Sequence, residues 1–315
     1  MSRTLVTGAL GFVGSYLCKE LLDAGHSVVG IGRNSSVKNR LRLENSWDNP
    51  NFKMIYCDFS KDNVVEYLQD VDYVFHAGAK TMVDHSILDP EPYIQSNVIG
   101  THRLLEAARK SRTIKCFFHI STDEVYGSCL GKAFTEDSTL LPGNPYSMTK
   151  AASDMFVLGY HNTYSLPTII TRTENVYGPY QGTEKAMPTF IKQLLEGKPM
   201  TLYGDGLHKR RWIHVEDKCK ALLFLLNKGK IGEIYNIAGE GEMTNIQFAE
   251  KIAKVLNLPA NIEFIPDDKI RPGHDQRYAI DVSKLKSLGW EPIYNLDAGF
   301  EDVVNWYKQN QFWLN

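Results

Sequence analysis

Two short stretches carry the residue types best suited to chemistry. Ser121-Thr122-Asp123-Glu124-Val125-Tyr126-Gly127 places two adjacent carboxyls directly after the apolar run 116–120, where a buried strand gives out toward a cleft. Pro145-Tyr146-Ser147-Met148-Thr149-Lys150 sets a phenol and an ammonium four residues apart, on one face of a helix that starts near Tyr146. A phenol, an ammonium and two carboxyls make a proton-transfer set, and such a set needs an electron carrier. Taken alone, the Asp-Glu pair also reads as a helix cap or as salt-bridge partners for Lys and Arg.

The carrier's site is expected at the start of the chain. Residues 4–7 form a short apolar strand, Gly8-Ala9-Leu10-Gly11-Phe12-Val13-Gly14 follows, and Val13, Tyr16, Leu17, Leu21 and Leu22 then recur at helical spacing. In that order Gly8 permits a tight turn, Gly11 lets the backbone approach a pyrophosphate, and Gly14 lets helix and strand pack closely. Phe12 and Val13 open the helix beside the same phosphate. The second strand, 27–31, ends in Gly32-Arg33-Asn34-Ser35-Ser36, where an acid would grip a ribose 2′-hydroxyl. Arg33 with Asn34 and the serines suits a 2′-phosphate instead, so the reading is NADP, with NAD as the alternative and a stacked or solvent-facing Arg33 as the bland one. Asp58, with Phe59, follows a third strand at 52–56, placed either to accept from an adenine amino group or to cap the next helix.

A fourth strand, 73–76, runs into Ala77-Gly78-Ala79-Lys80, small residues past which a cofactor can lie close to the backbone. Lys80 is a candidate for nicotinamide ribose or substrate, against a plain solvated lysine. Residues 93–111 read as a long helix on which Asn97 is a packed amide, structural or cofactor-positioning. Strand and helix alternating from residue 4 to 121 specify an α/β fold, a doubly wound parallel sheet whose ligands gather at the carboxyl ends of the strands. After about residue 175 the elements shorten. The expected organisation is a dinucleotide-binding domain over 1–174 and a smaller substrate-binding lobe over 175–315, some of whose segments return to the sheet.

Bulk composition excludes several classes. The 315 residues carry a formal net charge of -2, which gives no basic field for nucleic acid and no polybasic membrane signal. Five scattered cysteines, odd in number and without a Cys-x-x-Cys pair, argue against a disulfide framework or a bound metal and fit a reducing, cytoplasmic setting. The start runs straight into strand and glycine turn, so no signal peptide is expected, and no apolar run is long enough to span a membrane.

Thr7-Gly8-x-x-Gly11-x-x-Gly14 and Tyr146-x-x-x-Lys150, in this order and in a chain of this length, resemble the extended short-chain dehydrogenase/reductase family. Within it, residues 121–127 look like the nucleotide-sugar 4,6-dehydratases, typified by dTDP-glucose 4,6-dehydratase. The likeness continues through Asn175-Val176-Tyr177-Gly178-Pro179-Tyr180-Gln181, Arg210-Arg211-Trp212-Ile213-His214-Val215-Glu216-Asp217 and 271–281. Two positions depart from the dTDP-glucose pattern: Gly32-Arg33 in place of an acid, nearer the NADP-dependent GDP-mannose enzymes, and Arg211 where an Asp is expected.

The resemblance implies a Rossmann fold, a tightly bound and recycled cofactor, a homodimer and a nucleotide-sugar substrate. It also implies roles. Tyr146, its pKa lowered by Lys150 and the oxidised nicotinamide, takes the O4 proton as hydride leaves C4, with Thr122 hydrogen-bonding O4. Glu124 then abstracts the C5 proton and a protonated Asp123 supplies the C6 hydroxyl with its proton. Arg210, Arg271 and His274, with Asn175 as amide donor, are candidates for the diphosphate; Lys185 and Asn236 join them as weaker ones. UDP-N-acetylglucosamine, another UDP-hexose and dTDP-glucose all fit as substrate. A 5,6-ene product, a related epimerase or ketoreductase, and a non-catalytic nucleotide-binding protein remain alternatives.

Overall fold

The computed structural model describes residues 1–33, 36–266 and 275–315. Its frame is a seven-stranded sheet. Six strands come from the first part of the chain: β1 (Arg3–Thr7), β2 (Ser27–Gly32), β3 (Phe52–Tyr56), β4 (Tyr73–His76), β5 (Cys116–Thr122) and β6 (Thr168–Thr173). The seventh, Ile234–Ile237, pairs with β6, so a segment far along the chain completes the sheet edge. Across the sheet the order is β3, β2, β1, β4, β5, β6 and the 234–237 strand, with every pairing parallel. That is the doubly wound α/β fold expected from the alternation of strands and helices. Central strands such as β5 are buried along their whole length, which is why Cys116–Thr122 reads as a nearly continuous apolar run rather than an alternating one.

Helices cover both faces. Phe12–Asp23 and Val215–Lys228 pack on one, through Leu17, Cys18 and Leu21 against Cys219, Leu222 and Leu225. Gly100–Lys110 and Pro145–Tyr164 cover the other, where Leu104, Leu105 and Val157 meet Val74 and Phe117. All five cysteines are buried in or beside these layers and none is bonded to another.

A second sheet of three strands, Asn175–Tyr177, Lys209–His214 and Glu242–Thr244, begins one residue beyond Glu174, where β6 has just ended. A two-stranded parallel pair, Met200–Tyr203 with Ile262–Ile265, lies further out. These elements share a separate core built on Phe190, Trp212, Phe248 and Phe300, in which Trp212 and Phe248 stack with ring centroids 4.1 Å apart. No helix among the described residues is long and apolar enough to cross a membrane.

Candidate active site

The glycine turn sits where β1 meets its helix. Gly8 has a positive φ of 69°, and a Cβ on it would come within 2.8 Å of the Gly78 Cα. One on Gly14 would stand 2.2 Å from the Gly8 carbonyl oxygen, so strand, turn and helix can only pack this closely without side chains. The helix N-terminus at Gly11 has no side-chain cap and no acid in its first turn, which leaves its N–H groups and dipole to an anion. The turn therefore fits a dinucleotide pyrophosphate. Half-buried Phe12 and Val13 pack against the core beside it.

Around this turn the other expected cofactor residues take varied positions. Arg33 is exposed at the end of β2, close enough for its charge to act on Asp58, while Asn34 and Ser35 lie outside the described residues. Asp58 accepts from the Ser60 N–H and hydroxyl at 3.1 and 2.7 Å, a turn-capping geometry. The Phe59 ring packs edge-on against His76 inside the core, so only its backbone is open to a ligand role. Asn97 lies on a π-helical segment, Ile94–Ile99, within an otherwise α-helical run. Its amide binds the Lys80 backbone and the Thr149 hydroxyl, which fixes the Ala77–Lys80 loop to the helix that bears Tyr146.

That helix starts at a capping box. The Asn144 side chain accepts from the Ser147 N–H at 2.9 Å, the Ser147 hydroxyl accepts from the Asn144 N–H at 3.1 Å, and Pro145 occupies the first turn. Tyr146 and Lys150 are thereby placed on its buried face. Lys150 Nζ donates to the Ile120 carbonyl at 2.9 Å and lies 3.4 Å from His119 Nε2. Beneath it, Asp154 is paired with His119 at 3.4 Å and with Arg172 at 2.9 Å. Burial lowers the Lys150 ammonium to about 8, against the pull of Asp154.

The expected lowering of Tyr146 is reversed in the protein alone. Burial first, then the Glu124 carboxyl, push the phenol up, only partly offset by the Thr122 side chain. The Lys150 ammonium is turned to Ile120 and His119.

Asp123 and Glu124 stand at the end of β5 in a 3-10 turn capped by Thr122, whose hydroxyl accepts from the Glu124 N–H at 3.3 Å and donates to Asp123 at 3.1 Å. Burial and then the carboxyls of Glu174 and Glu124 hold Asp123 well above the usual range. Burial also raises Glu124, but Lys185 and Arg210 pull it back. Burial raises both carboxyls, but the strongest charge after it is a cation, Lys185, for Glu124 and an acid, Glu174, for Asp123, so Glu124 is the readier of the two to ionise.

Several candidate substrate residues converge on this cleft. Lys185 donates to the Thr81 carbonyl at 3.2 Å and its charge reaches Glu124. Arg210, buried, lies over the Tyr278 ring at 4.2 Å and donates to backbone carbonyls of Lys209, Asp275 and Gln276. Asn175 opens the second sheet with its amide 3.4 Å from the Arg211 carbonyl. Asn236 is different: fully buried, it accepts from Tyr126 and donates to Phe134 and Asp281 carbonyls, which ties it to packing. Arg271 and His274 lie outside the described residues.

Three contributors escaped the sequence reading. Asn144 approaches Glu124 at 3.5 Å, and Tyr278 donates to the same carboxylate at 3.4 Å. Asn-Pro before a helix is a readable cap signal, but nothing local marks Tyr278 or the third, Glu174.

The chain matches the family model described as GDP-mannose 4,6 dehydratase across residues 5–303. It belongs to that family. The short-chain dehydrogenase/reductase resemblance read from the motifs is therefore met. The low-salt glycan biosynthesis protein Agl12 of Haloferax volcanii is 44% identical, over 96% of this chain and 97% of its own. DesIV of Streptomyces venezuelae, a dTDP-glucose 4,6-dehydratase solved with NAD and TYD bound, superposes with a TM-score of 0.94 at 36% identity, over 99% of this chain and 100% of its own. A UDP-glucuronic acid 4-epimerase from Bacillus cereus, in complex with UDP-glucuronic acid and NAD, gives 0.92 at 32% identity, over 98% of this chain and 99% of its own.

Proposed function

We propose that this protein is a nucleotide-sugar 4,6-dehydratase acting on a nucleoside-diphosphate hexose, with UDP-N-acetylglucosamine, another UDP-hexose and dTDP-glucose as the substrates to test. The observation that carries the reading is the Asp123–Glu124 pair, split into an acid and a base by its surroundings, in one cleft with Tyr146 and Lys150. An epimerase has no use for such a pair.

A nicotinamide dinucleotide, when bound, would supply the hydride chemistry at C4 and C6. The Gly8–Gly14 turn and the Ala77–Lys80 loop held by Asn97 would seat it. Arg33 favours NADP, with NAD as the alternative, since DesIV holds NAD. Calorimetric titration of the cofactor-stripped protein with each dinucleotide decides this; Arg33→Ala should weaken NADP and leave NAD unchanged.

Tyr146 accepts the O4 proton, with Lys150 supplying positive charge from below. Oxidation at C4 acidifies C5, whose proton Glu124 removes. Asp123 then protonates the departing C6 hydroxyl. Arg210 and Lys185 are candidate cations for the diphosphate, with Asn175 as an amide donor. We further propose a second copy of the chain against the Pro145–Tyr164 helix, whose outer face exposes Met148, Met155, Phe156 and Tyr164 beside Ile94 and Ile99. Light scattering on the eluted protein would read a dimer mass.

The deciding experiment is mass spectrometry after incubation with UDP-N-acetylglucosamine, UDP-glucose, dTDP-glucose and GDP-mannose in turn. Loss of one water from one of them supports the reading, and NMR separates a 4-keto-6-deoxy product from a 5,6-ene. No mass change with any, cofactor supplied, overturns it.

A further inference from the structure

Strands β5 and β6 run side by side with Thr122 opposite Thr173 as their last paired residues. The next residue on each is an acid: Asp123 on one, Glu174 on the other. Both are buried, 4% and 2% exposed, far below what an ordinary surface acid shows. Asp123 Oδ2 and Glu174 Oε2 accept no hydrogen bond among the described residues. The other Glu174 oxygen accepts from the Ile280 N–H at 3.0 Å, and Arg211 Nε stands 3.5 Å from Oε2. Arg211, the position that departs from the dTDP-glucose pattern, is held there by its bonds to the Ile280 and Gly239 carbonyls.

We propose that Glu174 is a positioning residue that keeps Asp123 in its acid form for delivery to the leaving hydroxyl. This deepens the dehydratase reading and rests on it. In the step served, Glu124 takes the C5 proton, the C5–H electron pair becomes the C5=C6 bond, and the C6–O bond breaks as the Asp123 proton moves to that oxygen. Water leaves, and Asp123 remains as carboxylate until solvent reprotonates it.

Both acids meet other charges, and their sum decides the outcome. Facing Asp123 are Glu124 on its own turn, Tyr146 on the 145–164 helix, Arg210 on the 209–214 strand, Lys218 on the 215–228 helix and Tyr278. Facing Glu174 are Arg211, Arg277 and Glu242. Burial and the neighbouring Glu174 raise Asp123 more than Arg210 lowers it, and burial raises Glu174 despite Arg211. Two carboxyls in one dry site do not ionise together.

The test compares Glu174→Gln, which keeps an acceptor for Ile280, with Glu174→Asp, which keeps an ionisable carboxyl. The readout is the ratio of water loss to solvent-deuterium uptake at C5, followed against pH. Both events require C4 oxidation, so the ratio cancels effects on Tyr146 and Lys150. In Glu174→Gln the ratio should fall away at a pH lower by about one unit or more than in the wild type, and Glu174→Asp should restore the wild-type profile. An unmoved profile in a folded Glu174→Gln protein overturns the proposal. A second arm needs no turnover. Infrared spectra of the protein above pH 8, where Glu174, raised by burial to about 8, is ionised, should show a buried protonated-carboxyl band that Asp123→Asn removes and Glu174→Gln weakens; a band that Glu174→Gln leaves intact overturns the proposal. A wild type that dehydrates no sugar yet shows this infrared behaviour defeats the function reading alone.

Discussion

The Asn97 side-chain amide grips the Lys80 backbone at both ends, accepting its N–H at 2.8 Å and donating to its carbonyl at 3.0 Å. The amide thereby ties the Ala77–Lys80 loop to the 94–99 segment, and a cofactor seated on that loop would depend on it. Asn97→Leu should leave both backbone groups without partners, costing about 1–3 kcal/mol each if they stay dry. Thermal unfolding should report that loss, and cofactor affinity should fall with it. Full stability with unchanged affinity would show the loop to be held elsewhere.

The Lys150 ammonium should lose its proton near pH 8 in the cofactor-free protein, since burial lowers it to about that value. As pH rises through this point the charge under Tyr146 disappears, so C4 oxidation, followed through the absorbance of reduced nicotinamide, should decline. Nitrogen-detected NMR of labelled lysine gives the titration directly. Tyr146→Phe should slow the same step by about a hundred- to ten-thousand-fold.

Asp123→Asn and Glu124→Gln should separate the later steps. Without the acid, ketone formation and C5 exchange persist while water loss slows by about a hundred-fold or more. Without the base, C5 exchange itself stops. Equal defects in both variants would argue that the pair acts as one group.

Stability should fall on mild acidification. His119, fully buried beside Lys150, is pulled from 6.5 to about 4, burial first, and burial lowers His76 well below its ordinary value too. Both are neutral when folded and protonate readily when unfolded. Their contribution is complete above the unfolded value of about 6.5 and is lost as pH falls toward the folded value, about 3 kcal/mol for His119 alone. Urea midpoints between about pH 7 and pH 4 should drop accordingly.

The frame and the centre of the site were legible because their signals are local. The glycine turn, the Asp123–Glu124 pair and the Tyr146–Lys150 spacing each lie within one element or one turn, and the alternation of strands and helices is read one element at a time. What stayed hidden depends on distant segments meeting. Asn236 was read as a weaker substrate candidate, but its amide N–H groups go to the Phe134 and Asp281 carbonyls, 102 and 45 residues away. Glu174 looked like one acid among many until β5 and β6 brought it level with Asp123. Helical spacing likewise puts Lys150 on the right face but does not say which carbonyl its ammonium will choose.

The buried cysteines give the fold an internal reporter. Cys18, Cys116 and Cys219 are held well above ordinary thiol acidity by the core around them, so in the native state they present almost no thiolate to an alkylating reagent. Modification must wait for the layers to part. The rate at which each thiol is captured under native conditions therefore measures how often its part of the sheet opens, with no probe added to the chain.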